Sequence, residues 1–304
     1  MLASLPGVVR IPLVLLSLVL HTTTHLLALF LFTLLKLLMP ARALRDTCSR
    51  ALVVIAESWI GTNSALFEIF THTTWHVDGL DGLHRRGNYL VLCNHQSWVD
   101  IPVLQKIFNR RIPFLRFFLK SQLIWVPLLG MAWWALDFPF MKRYSKETLA
   151  RHPELQGKDR ESTRKACEKF SHMPVSVMNF AEGTRYTQGK HDAQKSEYRH
   201  LLRPRAGGVA FVLDAMDEGL HAILDVTIVY PNRPASMMDL IAGRVRDIRV
   251  LVRERPISCE LRGDYENDAA FRERFQAWIN RLWRDKDAVI DDMLAEANIP
   301  HTGI

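Results

Sequence analysis

Tyr89-Leu90-Val91-Leu92-Cys93-Asn94-His95-Gln96-Ser97-Trp98-Val99-Asp100 is the stretch that decides the fold. Its first five residues are apolar without alternation, too few for a helix and the usual length of a strand buried on both faces. The pattern then turns polar, and helical spacing resumes from Trp98 to Phe108. A covered strand running straight into a helix opens an α/β unit, and in such sheets ligands bind at the carboxyl ends of the strands. His95 and Asp100 stand at that end.

The same kind of apolar run recurs at Val175–Phe180 (VSVMNF), Ala222–Tyr230 (AILDVTIVY) and Ile248–Arg253 (IRVLVR), with another helical stretch at Gly208–Met216. The alternation begins near Thr74. The expected fold is therefore α/β, a mixed sheet covered by helices, occupying residues 71–304. Tyr144–His172 is charged and reads as a helical excursion. Phe271–Ala297 reads as a pair of charged helices forming a solvated outer layer.

Residues 1–70 have a different composition. From Ile11 to Met39 there is no acidic residue, and Lys36 carries the one formal charge. A helix of that length reaches about 40 Å, longer than the roughly 30 Å hydrocarbon core of a bilayer. A polar knot, His21-Thr22-Thr23-Thr24-His25, interrupts the run, so two readings stay open: one tilted span, or two half-helices that dip in and return. A cleaved signal peptide fits less well, since the run is too long and lacks an A-x-A site. Lys36, Arg42, Arg45 and Arg50 lie within or after the run, against Arg10 alone before it, which places the bulk of the chain on the cytoplasmic side, by expectation of a bacterial inner membrane. Ala51–Phe70 reads as a partly amphipathic helix, either in the membrane interface or packed on the domain.

Three constellations could carry chemistry. The first is His95 and Asp100. On one continuous helix they would point about 140° apart, so they meet only if His95 sits in the turn ahead of the helix. A carboxylate on one imidazole nitrogen leaves the other as a base, which an alcohol needs to become a nucleophile. The second is Phe180-Ala181-Glu182-Gly183-Thr184-Arg185, again at a strand end. Its glycine turn offers backbone N–H groups and Arg185 a planar fork suited to phosphate, while Glu182 either ties the turn together or binds a substrate hydroxyl. The third is Lys120 to Arg143, an apolar helix-like centre with Pro127 and Gly130, bracketed by Lys120 and by Lys142 with Arg143. It reads either as the wall of an apolar groove with cations at its mouth or as a core helix.

Taken together, in this order, these blocks and a fourth, Val226-Thr227-Ile228-Val229-Tyr230-Pro231, closely resemble the glycerophospholipid acyltransferase family, which includes 1-acylglycerol-3-phosphate acyltransferases. The resemblance runs from about Leu90 to Pro231. The K-S-x-L, P-L-L-G and F-x-K-R elements of the third constellation look most like the branch that contains lysocardiolipin acyltransferases. The resemblance implies a glycerophosphate-acyltransferase-like fold, with His95 as base and Asp100 as its partner. It implies that Glu182, Gly183, Thr184, Arg185 and Arg143 contact the acceptor's glycerol phosphate, with Lys120 and Lys142 as further contacts. It also implies a thioester donor, acyl-CoA or acyl carrier protein, a lysophospholipid acceptor drawn from membrane lipids, and no cofactor. The basic stretch Tyr186–Arg205 is long for the family's spacing.

Rival readings are a covalent route through Cys93, which shares a strand face with His95 at a spacing of two, and a membrane adaptor that keeps the fold without the activity. No G-x-S-x-G elbow is present, against a serine hydrolase. Nor do further ligands stand at metal-binding spacing from His95 and Asp100. The net charge of +7 and pI of about 9.4 suit an anionic partner. Nucleic acid is not expected, because the basic residues are scattered and the apolar N-terminus has no use there. Cys48, Cys93, Cys167 and Cys259 form no C-x-x-C pair and fit a reducing compartment.

Overall fold

A computed structural model describes residues 2–141, 151, 174–216, 219–232 and 235–298. Two long helices lead. α1 (Gly7–Leu38) runs unbroken through the polar knot, and α2 (Arg42–Phe70) folds back along it. Both are long and apolar enough to cross a membrane by length and composition. The knot is not a break but the seam between them. His21 Nε2 lies 3.0 Å from Asn63 Oδ1, the Trp59 indole donates to Thr22 Oγ1 at 3.0 Å, and His25 Nε2 lies 3.3 Å from Ser58 Oγ. Polar groups on an apolar helix are costly unless paired, and a neighbouring helix supplies the partners. The two half-helices considered for Ile11–Met39 are thus replaced by one continuous helix paired with α2.

α2 also packs on the α/β body, the second of the two readings for Ala51–Phe70. Glu57, buried, accepts from Arg85 at 2.5 Å; Lys106 pairs with Glu68; Phe67 joins the core beneath the sheet.

The sheet has six strands in the order β1 (Thr74–Asp78), β8 (Asp247–Arg255), β7 (Ala222–Val229), β2 (Tyr89–Cys93), β6 (Ser176–Phe180), β3 (Leu115–Phe117). All neighbours are parallel except β7 and β8. A separate two-stranded ribbon pairs β4 (Leu119–Lys120) with β5 (Phe140–Met141). Alternation along β2 divides the core. Leu90 and Leu92 face α6 (Ala206–Met216) and α8 (Ala269–Asn298), while Tyr89, Val91 and Cys93 face α3 (Asp100–Phe108). Every residue of β2 and β7 is buried, and β2 reads as an unbroken apolar run while β7 is apolar but for Asp225 and Thr227.

The C-terminal segment departs from expectation. It is one 30-residue helix rather than a pair, and Phe271, Phe275, Ile279, Leu282, Trp283 and Ile290 pack into the core. Lys286, fully buried, reaches Asp225 Oδ1 at 2.6 Å and the Val226 carbonyl at 2.5 Å, and Arg255 closes on the other Asp225 oxygen. The charged residues that suggested an outer layer occupy the remaining faces, with Lys286 neutralising an aspartate inside a central strand. The excursion expected at Tyr144–His172 lies outside the described residues but for Arg151.

Candidate active site

β2 and β6 are adjacent and parallel, with Cys93 in register with Phe180. Their carboxyl ends therefore deliver the His95 turn and the Glu182-Gly183-Thr184-Arg185 turn side by side. Asn94 closes the end of the strand: its side-chain amide donates to the Ile228 carbonyl and its oxygen accepts from the Ile228 N–H, both at 2.9 Å. The chain then leaves the sheet, and α3 begins at Asp100. His95 sits in the intervening turn, which is the condition for the two side chains to meet.

They do meet. His95 Nδ1 lies 2.8 Å from Asp100 Oδ2, which also accepts the N–H groups of Gln96 at 2.7 Å and Ser97 at 2.9 Å. Asp100 is completely buried, and its other oxygen accepts from the Tyr230 hydroxyl at 2.8 Å. Burial first, and the Asp100 charge second, hold the Tyr230 phenol well above its usual range, so it remains a donor. Four hydrogen bonds thus fix the carboxylate, and the carboxylate fixes the imidazole. The ring also stacks on Phe180, with centroids 3.8 Å apart and planes 13° from parallel. With Nδ1 engaged, Nε2 is the nitrogen left for a reacting group.

Glu182 takes the first of its two expected roles. It is buried; one oxygen accepts from the His95 N–H at 3.1 Å and the other from the Leu202 N–H at 3.3 Å. Burial outweighs these donors and raises its carboxyl to about 8. A carboxyl so enclosed ties the two turns together and does not present itself to an acceptor phosphate. Tyr186 adds a second tie, its N–H donating to the His95 carbonyl at 2.7 Å.

Gly183 adopts φ +71°, and a Cβ there would press on the Arg205 side chain at 3.0 Å. Arg205 is held by its N–H to the Ala181 carbonyl at 2.7 Å, so it lies over the turn. Thr184 accepts from Lys190 Nζ at 2.8 Å, and the same ammonium caps the Arg185 carbonyl at 2.9 Å. The exposed Arg185 guanidinium stands 4.7 Å above the exposed Trp98 ring. Lys190 sits on α5 (Gln188–Gln194). The long basic stretch Tyr186–Arg205 therefore returns to the turn and adds two cations to it.

Lys120 is placed, exposed, on the β4–β5 ribbon opposite Met141. Lys142 and Arg143 lie outside the described residues. The third constellation is neither one helix nor a plain core helix. A short 3₁₀ turn at Ser121–Trp125 is followed by α4 (Leu129–Ala135), and Leu128, the last of the three residues between them, takes φ +63°. Cys93 is fully buried, and burial pushes its thiol well above the usual range. A covalent route through it has neither access nor a thiolate.

The sequence alone gives Tyr230, Phe180, Lys190, Arg205 and Trp98 no role. Tyr230 lay inside the fourth block, the one sequence signal that pointed to it.

A histidine held by a buried carboxylate thus stands beside a turn edged with cations. The chain belongs to the acyltransferase family: the family's sequence model, Acyltransferase, matches residues 74–231. It is similar to human 1-acyl-sn-glycerol-3-phosphate acyltransferase delta, 23% identical over 84% of this chain and 64% of that protein. Mouse lysocardiolipin acyltransferase 1 is 28% identical over 82% of this chain and 65% of that protein. The chain thus spans just under two thirds of the length of these relatives. The crystal structure of the 1-acyl-sn-glycerophosphate (LPA) acyltransferase PlsC from Thermotoga maritima matches 98% of this chain and 100% of its own, with a TM-score of 0.55 and 16% identity, a likeness of fold.

Proposed function

We propose that this chain is a lysophospholipid O-acyltransferase that moves a fatty acyl group from a thioester, acyl-CoA or acyl carrier protein, to the free hydroxyl of 1-acylglycerol-3-phosphate. The observation that carries the reading is the 2.8 Å bond between His95 Nδ1 and the buried Asp100. In this mechanism His95 Nε2 takes the acceptor hydroxyl proton as the oxygen attacks the thioester carbonyl. The C–S bond then breaks, and the imidazolium returns its proton to the departing thiolate. Asp100 holds the tautomer and balances the imidazolium charge. Arg185, with Lys190 and Arg205 beside it and Arg143 from the third block, binds the acceptor phosphate. A guanidinium fork suits phosphate oxygens, and several cations together suit a phosphomonoester dianion better than a zwitterionic headgroup. The name of the human relative favours the same acceptor, and that of the mouse relative the wider class of lysophospholipids.

The protein works, on this reading, at a bacterial inner membrane with the α/β domain on the cytoplasmic side. Purified full-length protein, offered a panel of lysophospholipids with each donor and scored by mass spectrometry, tests the assignment. Turnover with 1-acylglycerol-3-phosphate and its loss in His95→Ala are expected. No turnover with any pair would instead support an adaptor that keeps the fold. Protease added to sealed right-side-out vesicles should spare the domain beyond Arg42.

A further inference from the structure

From Ser121 to Leu136 the chain carries no charged residue, and it is bracketed by Lys120 and Asp137. Inside a soluble body such a stretch would be buried. Here Ile124, Trp125, Leu128, Leu129, Met131 and Trp134 are all exposed, Trp125 to 85%. The strap is nonetheless a built object. A Cβ on Gly130 would lie 2.0 Å from the Ile124 carbonyl, so the turn closes only around glycine. Its inner side is fastened: Ala132, Ala135 and Leu136 share a core with Leu29 of α1 and with Leu52, Ala56 and Ile60 of α2. Asp137 pairs with Lys36 at 3.3 Å.

The strap is therefore anchored by its inner side to the C-terminal half of α1, where Leu27, Leu31, Leu34, Leu37 and Leu38 are also exposed. An apolar patch of this extent, continuous with the outer face of a helix apolar enough to enter a bilayer, has one solvent that suits it. We infer that residues 121–135 form a third membrane-contacting element, lying in the interface with Trp125 and Trp134 at headgroup depth and Leu128 and Met131 among the acyl chains. Tryptophan prefers that depth because its ring is apolar and its N–H needs a partner. The strap runs directly into the aromatic series of the site: Phe138 stacks on Phe117 at 6.3 Å, Phe117 on Phe180 at 6.3 Å, and Phe180 on His95. The contact thus sets the dyad's side of the sheet against the lipid surface, and it rests on the membrane reading above.

The test uses the full chain in vesicles of phosphatidylethanolamine and phosphatidylglycerol doped with a diazirine phospholipid, irradiated and mapped by peptide mass spectrometry. Adducts are expected on 121–135 as well as on α1. Labelled α1 with a bare strap overturns the inference while leaving membrane binding intact. The double variant Trp125→Glu, Met131→Glu should lower turnover of a long-chain acceptor in vesicles ~10-fold or more, the equivalent of about 1.4 kcal/mol of lost binding. Turnover of short-chain, monomerically dissolved substrates should not change. Equal loss in both assays would mean that the strap supports the fold and not lipid contact. The labelling arm reads out even if no acceptor is turned over, so its failure is distinguishable from failure of the enzymatic reading.

Discussion

Tyr230→Phe removes one hydroxyl and leaves the ring, so the packing around a fully buried side chain is kept. What it deletes is the 2.8 Å hydrogen bond to Asp100 Oδ1. A hydrogen bond to a charged group is worth roughly 1.5–3 kcal/mol, and the carboxylate oxygen left behind is buried. The other oxygen keeps the Gln96 and Ser97 N–H groups and His95, so the aspartate is loosened and not evicted. The imidazole should sample misaligned orientations, lowering kcat by about 10- to 100-fold with little change in KM for either substrate. The assay is steady-state kinetics with acceptor and donor varied in turn, together with a double-mutant cycle. In an Asp100→Asn background, Tyr230→Phe should cost much less, because its partner has already lost its charge. If Tyr230→Phe turns over at the parent rate, raises KM alone, or costs as much in the Asp100→Asn background, Tyr230 is not a positioning residue for the dyad.

Three further outcomes are expected. His95→Ala should lose about 10²- to 10⁴-fold in turnover while Cys93→Ala stays near the parent rate, as measured with saturating substrates; comparable losses would restore the thiol as a nucleophile. Arg185→Ala and Lys190→Ala should raise the half-saturating acceptor concentration, Arg185→Ala by about 10- to 100-fold, with Arg185→Lys rescuing only in part; a full acceptor titration showing a fall in maximal rate alone would refute the phosphate assignment. Glu182 has a carboxyl raised from 4.5 to about 8, so the folded state binds more protons than the unfolded state between those values. Stability should therefore fall as pH rises from 4.5 to 8, by at most about 1.4 kcal/mol per pH unit from this group. Glu182→Gln, which turns an amide toward one of the two backbone N–H donors, should be less stable at pH 5 yet flatter with pH. Parallel pH slopes for the two proteins in detergent melting curves would show that Glu182 does not titrate as its burial requires.

The sequence alone determined what depends on local pattern. β2 was legible because a strand covered on both faces reads as an unbroken apolar run, and β6, β7 and β8 because their short apolar runs are broken by few polar residues. The His95–Asp100 pair was legible because its members are five residues apart across a strand-to-helix turn. Only the tertiary structure decided what depends on partners far along the chain. Tyr230 reaches Asp100 across 130 residues, and Lys286 reaches Asp225 across 61; neither spacing carries any periodic signal. The same blindness misplaced α8, since a charge count shows how polar a helix is but not which charge finds a buried counterpart. It left the polar knot of α1 ambiguous, because His21, Thr22 and His25 are tolerable only once Asn63, Trp59 and Ser58 are opposite them. Glu182 stayed open between two roles for a related reason: whether a carboxylate faces solvent or closes on two backbone N–H groups is settled by the packing of β6 against β2 and of Leu202 over the turn. Composition and short-range spacing are properties of the chain; burial, and the pairing that burial enforces, arise only when distant segments are brought together.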